Sequence, residues 1–306
     1  MLNLKTLTKK LLFLLTGGGI FYYLGHLIWV NWREVAPRLA AFDRVWGGVA
    51  VIFGLLHFTF CVLIWEVTLN KLLVENLPIG KGFRIWSVSQ LGRYIPGNVW
   101  AVIGRMQMCR QENIPHSKTA VSIYLEMILV IAAACILFLA GLPFWPALIP
   151  RAQIWLLVAL IPLLLLSVHP KIVEGLLNRL LIWKKQSPVK INLGWEGLSQ
   201  LLFLGILNWL ISGAAIYSLI RAIQPLSWSA APILGGIIGI SWLFGVMAIF
   251  IPSGIGVREG VMTWLLSYHL PLPLASLTAI LARLLFLLVE VIFLAVVMVL
   301  TREKNN

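Results

Sequence analysis

The chain has 306 residues, of which 60% are hydrophobic and 11% charged, with 14 Trp. That excludes an ordinary soluble domain, in which about a quarter of residues are charged and under half are apolar. The balance of 24 Lys+Arg against 11 Asp+Glu comes without a soluble basic domain, which excludes nucleic acid as a partner and fits the Lys/Arg excess of cytoplasmic loops.

Lys5, Lys9 and Lys10 precede an apolar run, Leu11 to Val30, that lacks a small-x-small cleavage site and so predicts an uncleaved first span. A polar stretch from Asn31 to Arg44 leads into a second span, Gly47 to Asn70. An amphipathic, interrupted segment then runs from Lys81 to Arg110. A third span covers Thr119 to Leu142 and a fourth Ile154 to Val168. Lys171 to Lys190 is basic, with Ile172, Leu176, Leu177, Leu180 and Leu181 at helical spacing, and predicts a helix lying on the membrane surface. The fifth span is Leu201 to Ile220. Pro232 to Leu266 is apolar but broken by Gly235, Gly236, Gly239, Pro252, Gly254 and Gly256. A last span, Ser276 to Leu300, precedes a polar tail. Runs of about 20 apolar residues cross the bilayer as helices, and these lack the alternation of barrel strands. The expected fold is an all-α polytopic membrane protein.

The two broken segments match in one ungapped register, offset by 156 residues. Trp86 falls on Trp242, Ile95-Pro96 on Ile251-Pro252, Gly104 on Gly260, Met106 on Met262, Pro115 on Pro271 and Leu125 on Leu281. Trp, Pro and Gly mark backbone geometry, so this is an internal repeat. If both segments are re-entrant hairpins, six spans remain. Fifteen of the 24 basic residues then lie in cytoplasmic loops, five outside (Arg33, Arg38, Arg44, Arg151, Arg221) and four in the membrane (Arg93, Arg105, Arg258, Arg283). That asymmetry orients both termini to the cytoplasm of a cell (inner) membrane and brings the hairpins in from opposite faces. Span–hairpin–span twice, inverted, with six to eight membrane helices in total, is a transporter architecture. One transmembrane domain thus covers 1–306. It comprises a first span and external loop (1–46), repeat one (47–142, hairpin 81–110) and a fourth span with the basic helix (143–197). Repeat two (198–300, hairpin 232–266) and a tail (301–306) complete it. The alternative is that residues 232–251 cross outright, giving seven spans.

The hairpins hold the chemistry. Pro96, Gly97 and Gly104 in the first, and Pro252, Gly254, Gly256 and Gly260 in the second, are expected to break helices inside the membrane and free N–H groups for an anion. Arg93, Arg105 and Arg258 stand beside those breaks, where a guanidinium can grip phosphate with two parallel hydrogen bonds. An intramembrane Arg costs ~2.5–3.5 kcal/mol on insertion scales, so three of them need a function or partners. Tyr94, Asn98 and Trp100 are expected to line the same headgroup site. Glu66, Glu126, Glu259 and Glu290 serve charge balance or proton coupling. The purely structural alternative pairs Arg258 with Glu126 or Glu290, and Arg93 with Glu66. Arg283 either faces the hairpins or snorkels outward. Cys61, Cys109 and Cys135 are isolated, and the five His show no ligand spacing, so no metal, disulfide framework or other cofactor is expected. Ser253 sits in Pro-Ser-Gly without a partner His, which is no nucleophile signature. Gly235 and Gly239 are spaced for close helix packing within the hairpin.

Leu91-Gly-Arg-Tyr-Ile-Pro-Gly-Asn-Val-Trp100 with Gly104-Arg105, and Pro252-Ser-Gly-Ile-Gly-Val-Arg-Glu-Gly260, resemble the membrane region of lysylphosphatidylglycerol synthases, a flippase-like family. The likeness extends over most of the chain. Pro96-Gly97-Asn98 and Pro252-Ser253-Gly254 stand where that family usually shows Pro-Gly-Gly. The soluble synthase domain of bifunctional members does not follow Asn306, so the resemblance implies the flippase half and no aminoacylation. The first hairpin is also similar to the arginine-containing hairpin of the DedA family. The expected partners are therefore membrane lipids: an anionic phospholipid, an aminoacylated lipid or a polyprenyl phosphate. Self-association is left open. The expected function is a flippase or lipid-linked transporter. Its rivals are a transferase acting on a lipid phosphate, with Glu259 or Glu126 as base, and a non-catalytic partner subunit of an envelope-lipid enzyme.

Overall fold

The computed structural model describes residues 22, 23, 25, 26, 28–72, 77–95, 99–145, 172, 174, 175, 178, 179, 182, 194–248 and 251–302. The expected first span up to residue 21, the expected fourth span, most of the basic helix, and Pro96, Gly97 and Asn98 lie outside them. The described residues form helices and connecting turns. A short helix α1 (Trp32–Ala40) precedes the long α2 (Arg44–Asn70). Next come α3 (Ile79–Gln90), a 3-10 turn (Leu91–Tyr94), α4 (Trp100–Gln111) and the long α5 (His116–Gly141). The order then recurs: α6 (Trp195–Ile223), α7 (Ala231–Met247), a 3-10 turn (Pro252–Gly254), α8 (Val257–Leu266) and α9 (Leu272–Arg302). Adding 156 to the bounds of α4 gives 256–267, against 257–266 for α8, and adding it to those of α5 gives 272–297, against 272–302 for α9. The repeat found in seven side-chain identities is a repeat of the backbone.

Helices outrun their apolar cores because polar ends still hydrogen-bond along the axis. α2 starts at Arg44, three residues before the apolar run, because the Asp43 carboxylate caps it, accepting from Val45 N (2.8 Å) and Trp46 N (3.3 Å). Both arms of the first hairpin are 12 residues, or ~18 Å, too short to cross a ~30 Å core.

Equivalent helices of the two repeats run antiparallel. Asp43 N, at the start of α2, donates to Ala222 O near the end of α6 (2.8 Å). Mid-helix, Asn208 Nδ2 meets Cys61 Sγ (3.4 Å). At the far end Leu72 shares an apolar cluster with Leu198 and Leu201. The repeats are therefore inverted. Hairpin one enters and leaves at one end, where Lys81 at its start pairs with Glu112 at its finish (2.6 Å). Hairpin two enters and leaves at the other: Ile233 packs on Gly141 at the end of α5. Beside it Trp145 touches Tyr268 and His269 just after α8 (ring centroids 5.6 and 5.2 Å). Residues 228–247 are long and apolar enough to cross a membrane, yet this path makes α7 a re-entrant arm.

Gly235, Gly236 and Gly239 do not break α7, contrary to expectation. A Cβ on Gly235 would come within 2.8 Å of Trp209 O, and one on Gly236 within 2.6 Å of Phe138 Cα. These glycines let α7 lie directly on α6 and α5, the internal packing anticipated for the Gly235/Gly239 pair. Gly104 and Gly260 likewise sit inside α4 and α8 rather than at a break. Both helices are already under way there, so the main-chain ladder continues through them.

Candidate functional site

The two hairpin turns meet each other, and a cavity of about 590 Å³ lies where they do. It is lined by His57, the central residue of α2, by Trp209 at the centre of α6 and by Leu287 at the centre of α9. Residues 123–130 of α5, around its middle, complete the level. The cavity is thus at half-depth of the four long helices. Its lining includes Val99, Met127 and Met247, which are 53%, 41% and 65% exposed, so its rim is an apolar outer surface.

The second turn takes positive φ at Ser253 (54°), Gly254 (62°) and Gly256 (89°), which the two glycines adopt without a Cβ penalty. A Cβ on Gly254 would stand 2.5 Å from Gly245 Cα, so the turn folds tightly against the end of α7. In the first turn a Cβ on Gly92 would stand 2.5 Å from Ala101 N, which brings Arg93 and Tyr94 against the start of α4.

Four guanidiniums line the cavity: Arg93, Arg105, Arg258 and Arg283. Arg105 is 4% exposed, with its Nε and Nη1 both bonded. It bonds Glu126 Oε2 (2.6 Å) and Ser89 Oγ (3.3 Å) and lies over the rings of Trp65 and Trp86 (5.0 and 5.6 Å). Glu126 also accepts from Trp86 Nε1 (3.1 Å). Arg93 and Tyr94 both donate to Glu290 on α9, which ties hairpin one to repeat two. Arg283 donates to Ser253 Oγ (3.0 Å) and faces Glu259 Oε1 (3.7 Å). Arg258 lies over the Phe286 ring (5.7 Å) and has no ion-pairing carboxylate among the described residues.

The pairing alternative is therefore corrected in its partners. Arg93 pairs with Glu290 rather than Glu66, and Arg258 with neither Glu126 nor Glu290. Glu66 is buried against Gly82 of α3, with Oε2 lacking a hydrogen-bond partner among the described residues. Glu259 takes a second role: its Oε2 accepts from Gly256 N (2.6 Å), so the chain's own carboxylate takes up one donor at the start of α8. Of the aromatic candidates Tyr94 lines the cavity, whereas Trp100 is 47% exposed and does not. Helical periodicity is the reason: Ala101, Val102 and Arg105 share the inner face of α4, and Trp100 and Ile103 the outer one. Arg283 faces the hairpins. His57, Cys61 and Asn208, polar groups at mid-span, also line the cavity; their position in the middle of apolar runs was the available signal.

This fold and site define an inverted-repeat helical membrane protein with a cation-lined cavity at half-depth. Residues 11–297 match the family described as the lysylphosphatidylglycerol synthase TM region, and the chain belongs to that family. It is accordingly a multi-pass membrane protein of a lipid-handling family. No curated protein gives a significant match to the chain.

Proposed function

We propose that the protein is a lipid flippase or lipid-linked transporter that moves a phosphate-bearing headgroup between leaflets. One observation carries the reading: a cavity with four arginines stands at half-depth, with an apolar rim exposed to the bilayer. A headgroup occupies the cavity while its chains stay in lipid through that rim. Arg258, with Arg93 and Arg283 beside it, holds the phosphate; Arg105 is held by Glu126 and adds its field rather than a direct contact. Rocking of one inverted repeat against the other switches access. The basic-residue asymmetry supports an inner-membrane location with a cytoplasmic N-terminus.

The carboxylates that a transferase would use as base are engaged: Glu126 with Arg105, Glu259 with Gly256 N and Arg283. That supports transport over transfer. The test is reconstitution in liposomes, following disappearance of headgroup-labelled phosphatidylglycerol, lysyl-phosphatidylglycerol or a polyprenyl phosphate from the outer leaflet. Transport of at least one lipid is expected, falling about tenfold or more in Arg258→Ala because a charge-assisted contact to phosphate is lost. Full-rate transport by a folded Arg258→Ala protein contradicts the arginine assignment.

A further inference from the structure

Among the described residues, the ion pairs inside the membrane region differ in what they join. Arg105 of α4 and Glu126 of α5 both belong to repeat one, and Arg283 of α9 and Glu259 of α8 both belong to repeat two. Arg93, at the tip of hairpin one, pairs with Glu290 of α9 across the two repeats, and the Tyr94 hydroxyl donates to the same carboxylate oxygen. Motion of one repeat against the other leaves the first two pairs whole and has to part the third. Elsewhere hairpin one meets α9 through apolar groups. Phe83 lies against Phe293 (ring centroids 6.1 Å), and a Cβ on Gly80 would stand 3.8 Å from Thr301 Cγ2. Such contacts are non-directional and tolerate sliding, whereas an ion pair fixes one geometry.

Repeat two does without such a tie. In the 156-residue register Arg93, Tyr94 and Glu290 fall on Ile249, Phe250 and Ala134, none of which is charged or carries a hydroxyl. At Ala134 hairpin two is held by close packing instead: a Cβ on Gly239 of α7 would stand 2.8 Å from Ala134 Cβ. The backbone plan therefore does not require the Arg93–Glu290 pair, and its intramembrane charges need another reason. Arg93 lines the cavity with 30% of its side chain exposed, so an occupant reaches the guanidinium without dismantling the packing around it. A phosphate offers that guanidinium two oxygens in place of one carboxylate oxygen. Once Arg93 turns to it, the neutral Tyr94 hydroxyl alone holds Glu290, through a hydrogen bond about half as strong as a charge-assisted one. The occupant's negative charge also repels the Glu290 carboxylate, which acts in the same direction. A ligand shifts a conformational equilibrium only by binding one state better, and this exchange supplies the difference.

We propose that Arg93, Tyr94 and Glu290 are a latch between the repeats, which a headgroup phosphate opens by taking Arg93 from Glu290. This rests on the transport reading and names the contact through which cargo frees hairpin one. Spin labels on Leu91→Cys, in the turn of hairpin one, and Val299→Cys, near the end of α9, report the separation; both positions are exposed. The native cysteines are replaced in this background. In a maltoside detergent, which carries no phosphate, one narrow distance is expected. Short-chain phosphatidylglycerol, phosphatidic acid or phosphatidylethanolamine should add a longer one, and short-chain diacylglycerol, lacking phosphate, should not. Glu290→Gln removes the ion pair but keeps an acceptor for Tyr94. It is expected to raise the long-to-short ratio about tenfold with no lipid added. A Glu290→Gln distribution matching that of the parent protein overturns the latch. So does a parent distribution that no phospholipid shifts, or that diacylglycerol shifts equally. Should Glu290→Gln not fold, Tyr94→Phe carries the same test, with a smaller rise expected and no rise contradicting the latch. These distances do not depend on lipid movement, so the liposome assay judges transport separately. Lipid movement with an unresponsive tip rejects the latch alone; a tip that opens in a protein that moves no lipid rejects transport alone.

Discussion

Arg105 and Arg258 are both intramembrane arginines, but the protein treats them oppositely. Arg105 is buried against a carboxylate, a hydroxyl and two indole rings, so Arg105→Ala strands the Glu126 carboxylate; breaking such a pair typically costs ~3–5 kcal/mol. A lower melting temperature in detergent is expected, with partial recovery in the double variant Arg105→Ala, Glu126→Ala. Arg258 has no carboxylate to strand, so Arg258→Gln should leave the melting temperature unchanged or raised while transport falls. A large drop in its melting temperature would show that Arg258 has a structural partner instead. Sequence named both residues for one role because depth and residue type are legible, whereas partners are not. The partners of Arg93 and Arg283 lie 197 and 24 residues away, at separations that only the packed helices determine. His57 and Asn208 were visible as polar residues in apolar spans, but nothing local tells that both face one cavity.

At the scale of elements, the hairpins were readable almost to the residue. Lys81 to Arg110 became α3, a turn and α4; Pro232 to Leu266 became α7, a turn and α8. Pro252 and Gly254 reported the break in the second hairpin, and the 156-residue register reported the equivalence of the two. Glycine within an arm was ambiguous, because composition cannot separate a break from a close approach. That distinction is testable. Gly104 has nothing nearer than 3.9 Å to a would-be Cβ, so Gly104→Ala should fold normally, with a gain of up to about 1 kcal/mol in helix propensity. Gly236→Ala puts a Cβ within 2.6 Å of Phe138 Cα and should lower the melting temperature markedly. Gly254→Ala combines a 2.5 Å approach to Gly245 with a φ of +62°, adding roughly 1–2 kcal/mol of backbone strain. Comparable melting temperatures for all three would contradict the packing described.

The molecule as a whole is two copies of one backbone plan with unequal chemistry. In the 156-residue register Arg93 falls on Ile249, Arg258 on Val102, Arg105 on Val261 and Arg283 on Met127, so none of the four guanidiniums is duplicated. Symmetry supplies two hairpins from opposite ends, and divergence supplies the charged cavity between them. Inversion was legible from the distribution of Lys and Arg; its geometric form, antiparallel α2 and α6 with the cavity at their centres, needed the packed helices. The decisive question is whether this one cavity serves both leaflets. It is answered by impermeant thiol labelling in oriented vesicles, in a background with Cys61, Cys109 and Cys135 replaced by Ser. Lys81→Cys, at the mouth of hairpin one, and Ser229→Cys, before hairpin two, should label from opposite faces only. Ser253→Cys, at the meeting of the two tips, should label from either face. Labelling of Ser253→Cys from a single face, under conditions that support transport, would contradict alternating access through this site.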